Sequence, residues 1–219
     1  MTREHYIRQL DSLRENLLRL GSMVEHALER AMKSLETWDM ALASQVVHDD
    51  LEIDATWHAI EEQVIKVIAT QQPVARDVRL LSTTFAIAGE LERIGDYAAG
   101  IGRRLQRVTS RPALVTPPPG LSEMGKLARR MLTISLEAFL RQEIATAHSL
   151  VKEEEQVDIL EKRVRQELLT LAQHEPQRLE AVVDMLEVVH LLERAADRTT
   201  NIGERVIYLV TNTNEELNP

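Results

Sequence analysis

Two short acidic segments have the residue types and the spacing of a metal site. Glu92 is followed by Asp96, and Glu193 is followed by Asp197, so each segment holds two carboxylates at positions i and i+4. On an α-helix this spacing places both side chains on one face. The second segment repeats the first at an offset of 101 (193 minus 92) in a chain of 219. The offset indicates that one structural unit occurs twice.

Each half also carries an earlier pair of acidic residues that can face these carboxylates. Asp54 and Glu92 are equally distant from Pro73 along the chain, one before it and one after it, and the same holds for Asp50 and Asp96. If Pro73 marks the turn between antiparallel helices, equal rise places both pairs at one level, roughly 30 Å from the turn at about 1.5 Å per residue. The sequence therefore predicts that four carboxylates meet in this hairpin.

The second half repeats the arrangement around Pro176. Asp158 and Glu193 lie at nearly equal distances before and after this proline, and so do Glu154 and Asp197. A second hairpin with four carboxylates at one level is therefore expected.

The predicted metal ligands are eight acidic residues: Asp50, Asp54, Glu92, Asp96, Glu154, Asp158, Glu193 and Asp197. Carboxylates at one level repel one another and raise each other's pKa values, and a multivalent cation removes that repulsion. Asp50 and Glu154 also fall at apolar-face positions, where a buried carboxylate is costly without a cation or a donor. Oxygen ligands favour Mg²⁺, Mn²⁺, Ca²⁺ or iron. Zn²⁺ stays among the candidates, because the pattern does not identify the ion.

The elements that must position these acids are long helices. Apolar residues recur every three or four positions from Leu10 to Trp38, from Val46 to Val67 and from Leu80 to Val108. This period is typical of helices in bundles, and no segment alternates with the period of two that a strand shows. We therefore predict an all-α protein of two tandem three-helix bundles with six long helices. The first and fourth helices are expected to form a shared spine.

The segment between the two halves is rich in proline. Ser110 to Gly120 holds Pro112, Pro117, Pro118 and Pro119, which a helix cannot cross. The predicted organisation is a first repeat at 1–109, a linker at 110–120 and a second repeat at 121–219.

Small residues form a stripe beside Glu92. Ala88, Gly95, Ala99 and Gly102 follow one another at helical spacing. Because glycine inside a helix costs about 1 kcal/mol relative to alanine, such a stripe needs a reason. Close approach of another backbone or of a metal cluster would supply one.

Composition narrows the classes of partner. A net charge of −9 and an aromatic content of 3% argue against nucleic-acid binding, which needs a basic surface and stacking rings. The chain has no cysteine, which removes disulfides and thiolate metal sites. No apolar run approaches the roughly 18 residues of a membrane span, and the first residues do not resemble a signal peptide. A cytoplasmic protein without direct membrane insertion is expected.

Three segments make the chain resemble the PhoU family. Gln72–Arg79 and Leu91–Ala98 resemble the first-half signature of that family, and Asn201–Thr211 resembles its C-terminal signature. The resemblance extends over essentially the whole chain, including the duplicated plan of three helices.

The resemblance implies a non-enzymatic negative regulator of phosphate homeostasis. Family members are cytoplasmic, usually homodimeric, and restrain the response to phosphate starvation. The implied partners are the ATPase subunit of the phosphate ABC transporter and a phosphate sensor histidine kinase. Some members bind multinuclear metal clusters through paired acidic motifs, which match the eight acidic residues given above.

The second acidic motif departs from the family pattern. Ala196 stands where glycine is usual, and Arg198 stands where histidine is usual. The added methyl group is expected to hinder close approach, and the added positive charge is expected to compete with a cation.

Two alternatives stay open on the sequence. A ferritin-like di-iron enzyme is suggested by Glu187 and His190, although their first-half counterparts, Ala86 and Gly89, cannot bind a metal. His190 is otherwise expected in the core or at its boundary. The second alternative is a metal-free helical scaffold whose acids pair with arginines. His48 is predicted to be exposed.

Overall fold

The computed structural model describes residues 3–109 and 115–218, which form six α-helices and one short 3-10 turn at Pro176–Arg178. The helices are α1 (Arg3–Thr37), α2 (Met40–Gln71), α3 (Ala75–Thr109), α4 (Pro119–Arg141), α5 (Ile144–His174) and α6 (Leu179–Thr211). These ranges contain no strand, so the prediction of an all-α fold with six helices is confirmed.

The six helices pack as two similar units. Helices α1, α2 and α3 contact one another, and α4, α5 and α6 do the same. The units meet where α3 packs along α6 and where α1 packs on α4. We expected the first and fourth helices to form the shared spine. They do contact each other, but the contact between α3 and α6 is the more extensive of the two. Helical periodicity shows which face is apolar but not which distant helix covers it.

The hairpin turns lie at the predicted prolines. α2 ends at Gln71, Gln72 takes a left-handed conformation with φ 46°, and α3 begins two residues after Pro73. The second hairpin turns through Glu175 and the 3-10 segment that starts at Pro176. Both turns set the register that brings the acidic positions of neighbouring helices to one level.

The predicted apolar positions form the core. Leu17, Ile53 and Ile94 are almost completely buried. Most of the periodic apolar residues of the three first-half helices are buried as well. Trp38 and Trp57, whose positions in the apolar pattern predict burial in the core, are only partly buried and pack against its edge. In the linker region α4 already begins at Pro119, and the stretch 110–114 lies outside the described residues.

Close helix contact explains two of the glycines. A Cβ atom on Gly102 would lie 2.9 Å from the carbonyl oxygen of Ala43. A Cβ atom on Gly203 would lie 2.7 Å from Leu150 Cδ1 and 3.6 Å from the carbonyl oxygen of Ala147. These glycines therefore let α3 and α6 approach the backbones of α2 and α5.

No helix in the ranges 3–109 and 115–218 combines the length and the apolarity that crossing a membrane requires.

Candidate functional site

The first hairpin brings Asp50, Asp54, Glu92 and Asp96 together, and we call these four residues the first carboxylate cluster. Asp50 is buried, with 9% of its surface exposed. Burial raises the pKa of Asp50 to about 6, and repulsion from Asp96, Asp54 and Glu92 adds to the rise, while Arg103 opposes it. The mutual repulsion means that these side chains face a shared space between α2 and α3.

One oxygen of this cluster receives no hydrogen bond from residues 3–109 and 115–218. Asp50 Oδ1 is buried, and no donor reaches it from the part of the chain that the structure describes. A Cβ atom on Gly95 would lie 3.5 Å from this oxygen, so the glycine leaves the space beside it open. A buried carboxylate oxygen without a partner is costly, and a cation would satisfy it.

The remaining members of the first carboxylate cluster line its solvent side. Burial raises the pKa of Glu92, and repulsion from Asp96 and Asp54 raises it further. Asp54 is half-buried and Asp96 is exposed. The cluster is therefore open to ions from solution on one side and closed by the core on the other.

The second hairpin brings Glu154, Asp158, Glu193 and Asp197 together as the second carboxylate cluster. Burial raises the pKa of Glu154 to about 7, and the negative charge of Asp197 contributes to the rise. Burial also raises the pKa values of Asp197 and Glu193. Asp158 is more peripheral, because its side chain is 58% exposed and lies 3.9 Å from the Lys162 amine.

The C-terminal segment covers this second cluster, a feature that sequence reasoning missed. After α6 ends, the chain turns back so that the Leu217 side chain is buried. The Leu217 backbone N–H donates to Glu204 Oε1 at 2.9 Å. The Asn218 amide donates to Glu154 Oε1 at 2.7 Å. The second cluster therefore already has a hydrogen-bond donor at its most buried carboxylate.

The carboxylates share a level in both hairpins, but their side chains do not form a closed ligand set. Among the residues 3–109 and 115–218, no three carboxylate or imidazole groups converge closely enough to hold a metal ion. The donor set nevertheless fits an oxygen-bound cation, because Asp50 Oδ1 is buried without a donor from these ranges and the surrounding carboxylates repel one another. The eight acidic residues thus remain a prediction of metal ligands.

The Glu-x-x-His spacing does not produce a di-iron ligand pair. Glu187 Oε2 accepts a hydrogen bond from Arg104 Nη2 at 3.3 Å. His190 Nδ1 lies 3.2 Å from Glu193 Oε2, and its side chain is 52% exposed. The expectation of a core or boundary histidine was therefore wrong, since His190 lies on the outer face of α6. His48 is exposed, as expected.

The two departures in the second acidic motif also have a structural explanation. Ala196 is completely buried, so its methyl group is accommodated in the core. Arg198 turns toward α3, where Nη1 lies 3.3 Å from Glu90 Oε2 and Nε donates to the Tyr97 hydroxyl at 3.3 Å. Its charge opposes the rise that burial causes in the pKa of Asp197. The guanidinium belongs to the interface between the two units, and its competition with a cation stays a prediction.

The fold and the two clusters define a class of duplicated helical-bundle proteins with an acidic hairpin in each half. The sequence pattern of the PhoU domain matches residues 17–105 and 121–206, so the chain belongs to the PhoU family. This is a family of regulatory accessory proteins rather than of enzymes, which confirms the prediction of a non-enzymatic protein.

Relatives and solved structures agree over most of the chain. A phosphate-specific transport system accessory protein PhoU homolog from Clostridium acetobutylicum is 35% identical over 219 residues and is covered completely, as is this chain. The PhoU protein of Escherichia coli (strain K12) is 32% identical, with 92% of this chain and 83% of that protein aligned.

Two crystal structures share the fold. PhoU from Pseudomonas aeruginosa superimposes with a TM-score of 0.87 at 31% identity, covering 95% of this chain and 100% of that one. The phosphate transport system regulatory protein PhoU from Streptococcus pneumoniae gives 0.89 at 28% identity, covering 96% and 99%. The chain is a PhoU-type regulatory accessory protein of phosphate transport.

Proposed function

We propose that this protein is a cytoplasmic negative regulator of phosphate uptake and of the phosphate-starvation response. It acts by docking on the ATPase subunit of the phosphate ABC transporter and on a sensor histidine kinase. The observation that carries the proposal is the match of both halves to the PhoU domain, together with relatives described as phosphate transport accessory proteins. No catalytic step by this chain is required.

Exposed apolar side chains on the outer helices support a docking role. Ile65 on α2 is 58% exposed, and Leu169 on α5 is 41% exposed. These residues occupy equivalent positions in the two halves, at the offset of 104 that also relates Asp50 to Glu154. Repeated apolar side chains on a surface of net charge −9 favour contacts with proteins over contacts with nucleic acid.

The two carboxylate clusters are proposed to bind divalent or iron cations. Asp50 and Glu154, the buried members, would supply the innermost oxygens of the two sites. A bound cation neutralises the repulsion among the acids and so stiffens each hairpin. The support is Asp50 Oδ1, which no donor from the described ranges reaches, and the raised pKa values of the buried members. A metal-free scaffold is the outcome that would replace this part of the proposal.

Docking and metal binding are tested in separate experiments. Purified protein is incubated with immobilised ATPase subunit and, separately, with the cytoplasmic part of the sensor kinase. Capture of the wild type by both is expected, and retention by neither would contradict the regulatory proposal. Light scattering on the same preparations checks the homodimer that the resemblance to the PhoU family implies.

Metal content is measured after exposure to Fe²⁺, Mn²⁺, Mg²⁺, Zn²⁺ or Ca²⁺ and gel filtration. Asp96→Ala should lose cation from the first carboxylate cluster. Glu62→Gln, an exposed acid of α2 outside both clusters, should retain it. Equal metal content in all three proteins would contradict a cation site at the first carboxylate cluster, and no metal in the wild type would favour the metal-free scaffold.

A further inference from the structure

A cavity of about 370 Å³ lies where the two units meet, away from both carboxylate clusters. Its walls come from α1, the first two turns of α3, the α4–α5 turn and the last turn of α6. Three of its lining residues are arginines: Arg14, Arg76 and Arg79. Since Asp96 lies well beyond Arg76 on α3, the cavity and the first cluster are separated by about 30 Å along that helix, at about 1.5 Å per residue.

Acidic side chains of the described ranges do not neutralise these arginines. The chain has 35 acidic and 26 basic residues, so most guanidinium groups should find a carboxylate. Arg104, for example, lies 3.7 Å from Asp184 and 3.3 Å from Glu187. Within 3–109 and 115–218, neither Arg14 nor Arg76 nor Arg79 forms an ion pair, which leaves positive charge concentrated in this cavity of an acidic protein.

Arg79 lines this cavity, and two of its N–H groups are poorly satisfied or unsatisfied by the described residues. Its Nη1 donates a long hydrogen bond, 3.4 Å, to Asn212 Oδ1. Its Nε is buried, and no acceptor reaches it from the described part of the chain. Buried N–H groups of arginine are costly without an acceptor, so an anion bound beside Arg79 would remove an existing penalty.

The acid in the cavity wall is already occupied. Asp77 Oδ2 accepts a hydrogen bond from the Tyr6 hydroxyl at 2.8 Å. Burial and the neighbouring Asp77 raise the pKa of Tyr6 to about 12, so the hydroxyl stays protonated and keeps donating. With one carboxylate against three guanidinium groups, the lining carries a net positive charge.

We infer that this cavity binds the phosphoryl group of a small molecule, either inorganic phosphate or a phosphorylated metabolite. The planar fork of arginine matches phosphate oxygens with two parallel hydrogen bonds, and three such forks suit a dianion better than a carboxylate or chloride. The volume exceeds that of one phosphate ion, so it holds either phosphate with water or a phosphate carrying a small organic group.

The cavity also unites two segments that the carboxylate clusters leave unexplained. Gln72–Arg79 contributes Arg76 and Arg79, and Asn201–Thr211 contributes part of the α6 wall. Because the walls belong to both three-helix units, a ligand there contacts both and holds them together. The inference goes beyond the proposed docking function and does not depend on it.

Isothermal titration calorimetry with the full chain tests the site, with inorganic phosphate, AMP and sulfate as probes at constant chloride concentration. The wild type should show saturable binding of phosphate or AMP. The probe that binds with the higher affinity shows whether the site prefers inorganic phosphate or a phosphorylated metabolite. Sulfate binding as tight as phosphate would overturn the assignment to phosphoryl chemistry. No saturable binding of phosphate or AMP would overturn the site.

Matched charge variants locate the binding. Arg79→Gln should weaken it at least tenfold, and Arg14→Gln with Arg79→Gln should abolish it. Arg178→Gln removes the same charge at the opposite end of α6 and should change affinity less than twofold. Arg76→Gln, at an exposed position, keeps the test valid if an Arg79 variant fails to fold. Unchanged affinity in Arg76→Gln and in a folded Arg79→Gln would overturn the inference, whatever the pull-down experiments show.

Discussion

Gly95 lies against Ile53 so closely that a Cβ atom on the glycine would stand 3.0 Å from Ile53 Cγ2. The equivalent positions in the second half are Ala196 and Val157, both buried. Where α6 gains a methyl group, the facing residue of α5 is one carbon smaller. The two hairpins therefore reach similar packing with complementary volumes, which is why the alanine in the second acidic motif is tolerated.

Gly95→Ala should destabilise the protein by about 1–2 kcal/mol, because overpacking against the stiff β-branched Ile53 outweighs the gain in helix propensity. The double variant Gly95→Ala with Ile53→Val, which copies the second half, should recover most of the loss. Urea unfolding followed by circular dichroism measures both. Ala196→Gly serves as the reverse control and should also destabilise, by about 1 kcal/mol. Additive losses in the double variant would contradict the volume argument.

The contribution of Asp50 to the stability of the metal-free protein should fall as pH rises from about 4 to 6. Asp50 has a pKa of about 6 in the folded state, against about 3.9 in an unfolded chain. Between these values the folded state binds more protons than the unfolded chain, so its free energy of unfolding decreases with pH. The protonated carboxyl of Asp50 makes its full contribution to the free energy of unfolding below about pH 4, and this contribution is lost as pH passes 6.

Asp50→Asn should remove part of this dependence. In EDTA at pH 8 the variant should be more stable than wild type by about 1–2 kcal/mol, and the difference should shrink at pH 5. Asp11→Asn makes the same change at an exposed position of α1 and should alter neither value. An equal difference at both pH values would show that burial of the Asp50 charge is not the cause.

The contact between the two units should depend on Arg198 and Glu90. Their side chains are only 25% and 19% exposed, so water screens the pair less than an ordinary surface ion pair. A double-mutant cycle with Arg198→Ala and Glu90→Ala should give a coupling of about 1 kcal/mol in urea unfolding. Arg205→Ala, an exposed change on the same helix, should be nearly neutral. A coupling near zero would exclude a stabilising role for this pair.

Anchoring of the C-terminal segment should contribute measurably to stability. Leu217 is 7% exposed and lies near Gly203, where a Cβ atom would be 3.1 Å from Leu217 Cδ1. Leu217→Ala should cost about 2 kcal/mol, because a buried leucine loses its apolar contacts. Glu216→Ala, at the exposed neighbouring residue, is the matched control in thermal unfolding. Equal melting temperatures for the two variants would contradict the burial of Leu217.

Local sequence patterns predicted the features that depend on helical spacing and turn residues. The periodic apolar positions indicated the helices. Pro73 and Pro176 indicated the turns, and the positions of the turns determine which acidic residues face one another across each hairpin. The interface between α3 and α6 was beyond such reasoning, because Arg198 and Glu90 are separated by 108 residues. The position of Asn218 beside Glu154 likewise depends on a fold-back after α6 that no periodic pattern indicates.

The C-terminal segment makes the two halves unequal despite their common plan. Asn218 donates to Glu154 Oε1, so a cation that approaches this oxygen competes with an amide. Asp50 Oδ1 receives no donor from the described ranges and imposes no such competition. If both clusters bind the same ion, the first half should therefore fill at the lower ion concentration, because the C-terminal segment competes only in the second half.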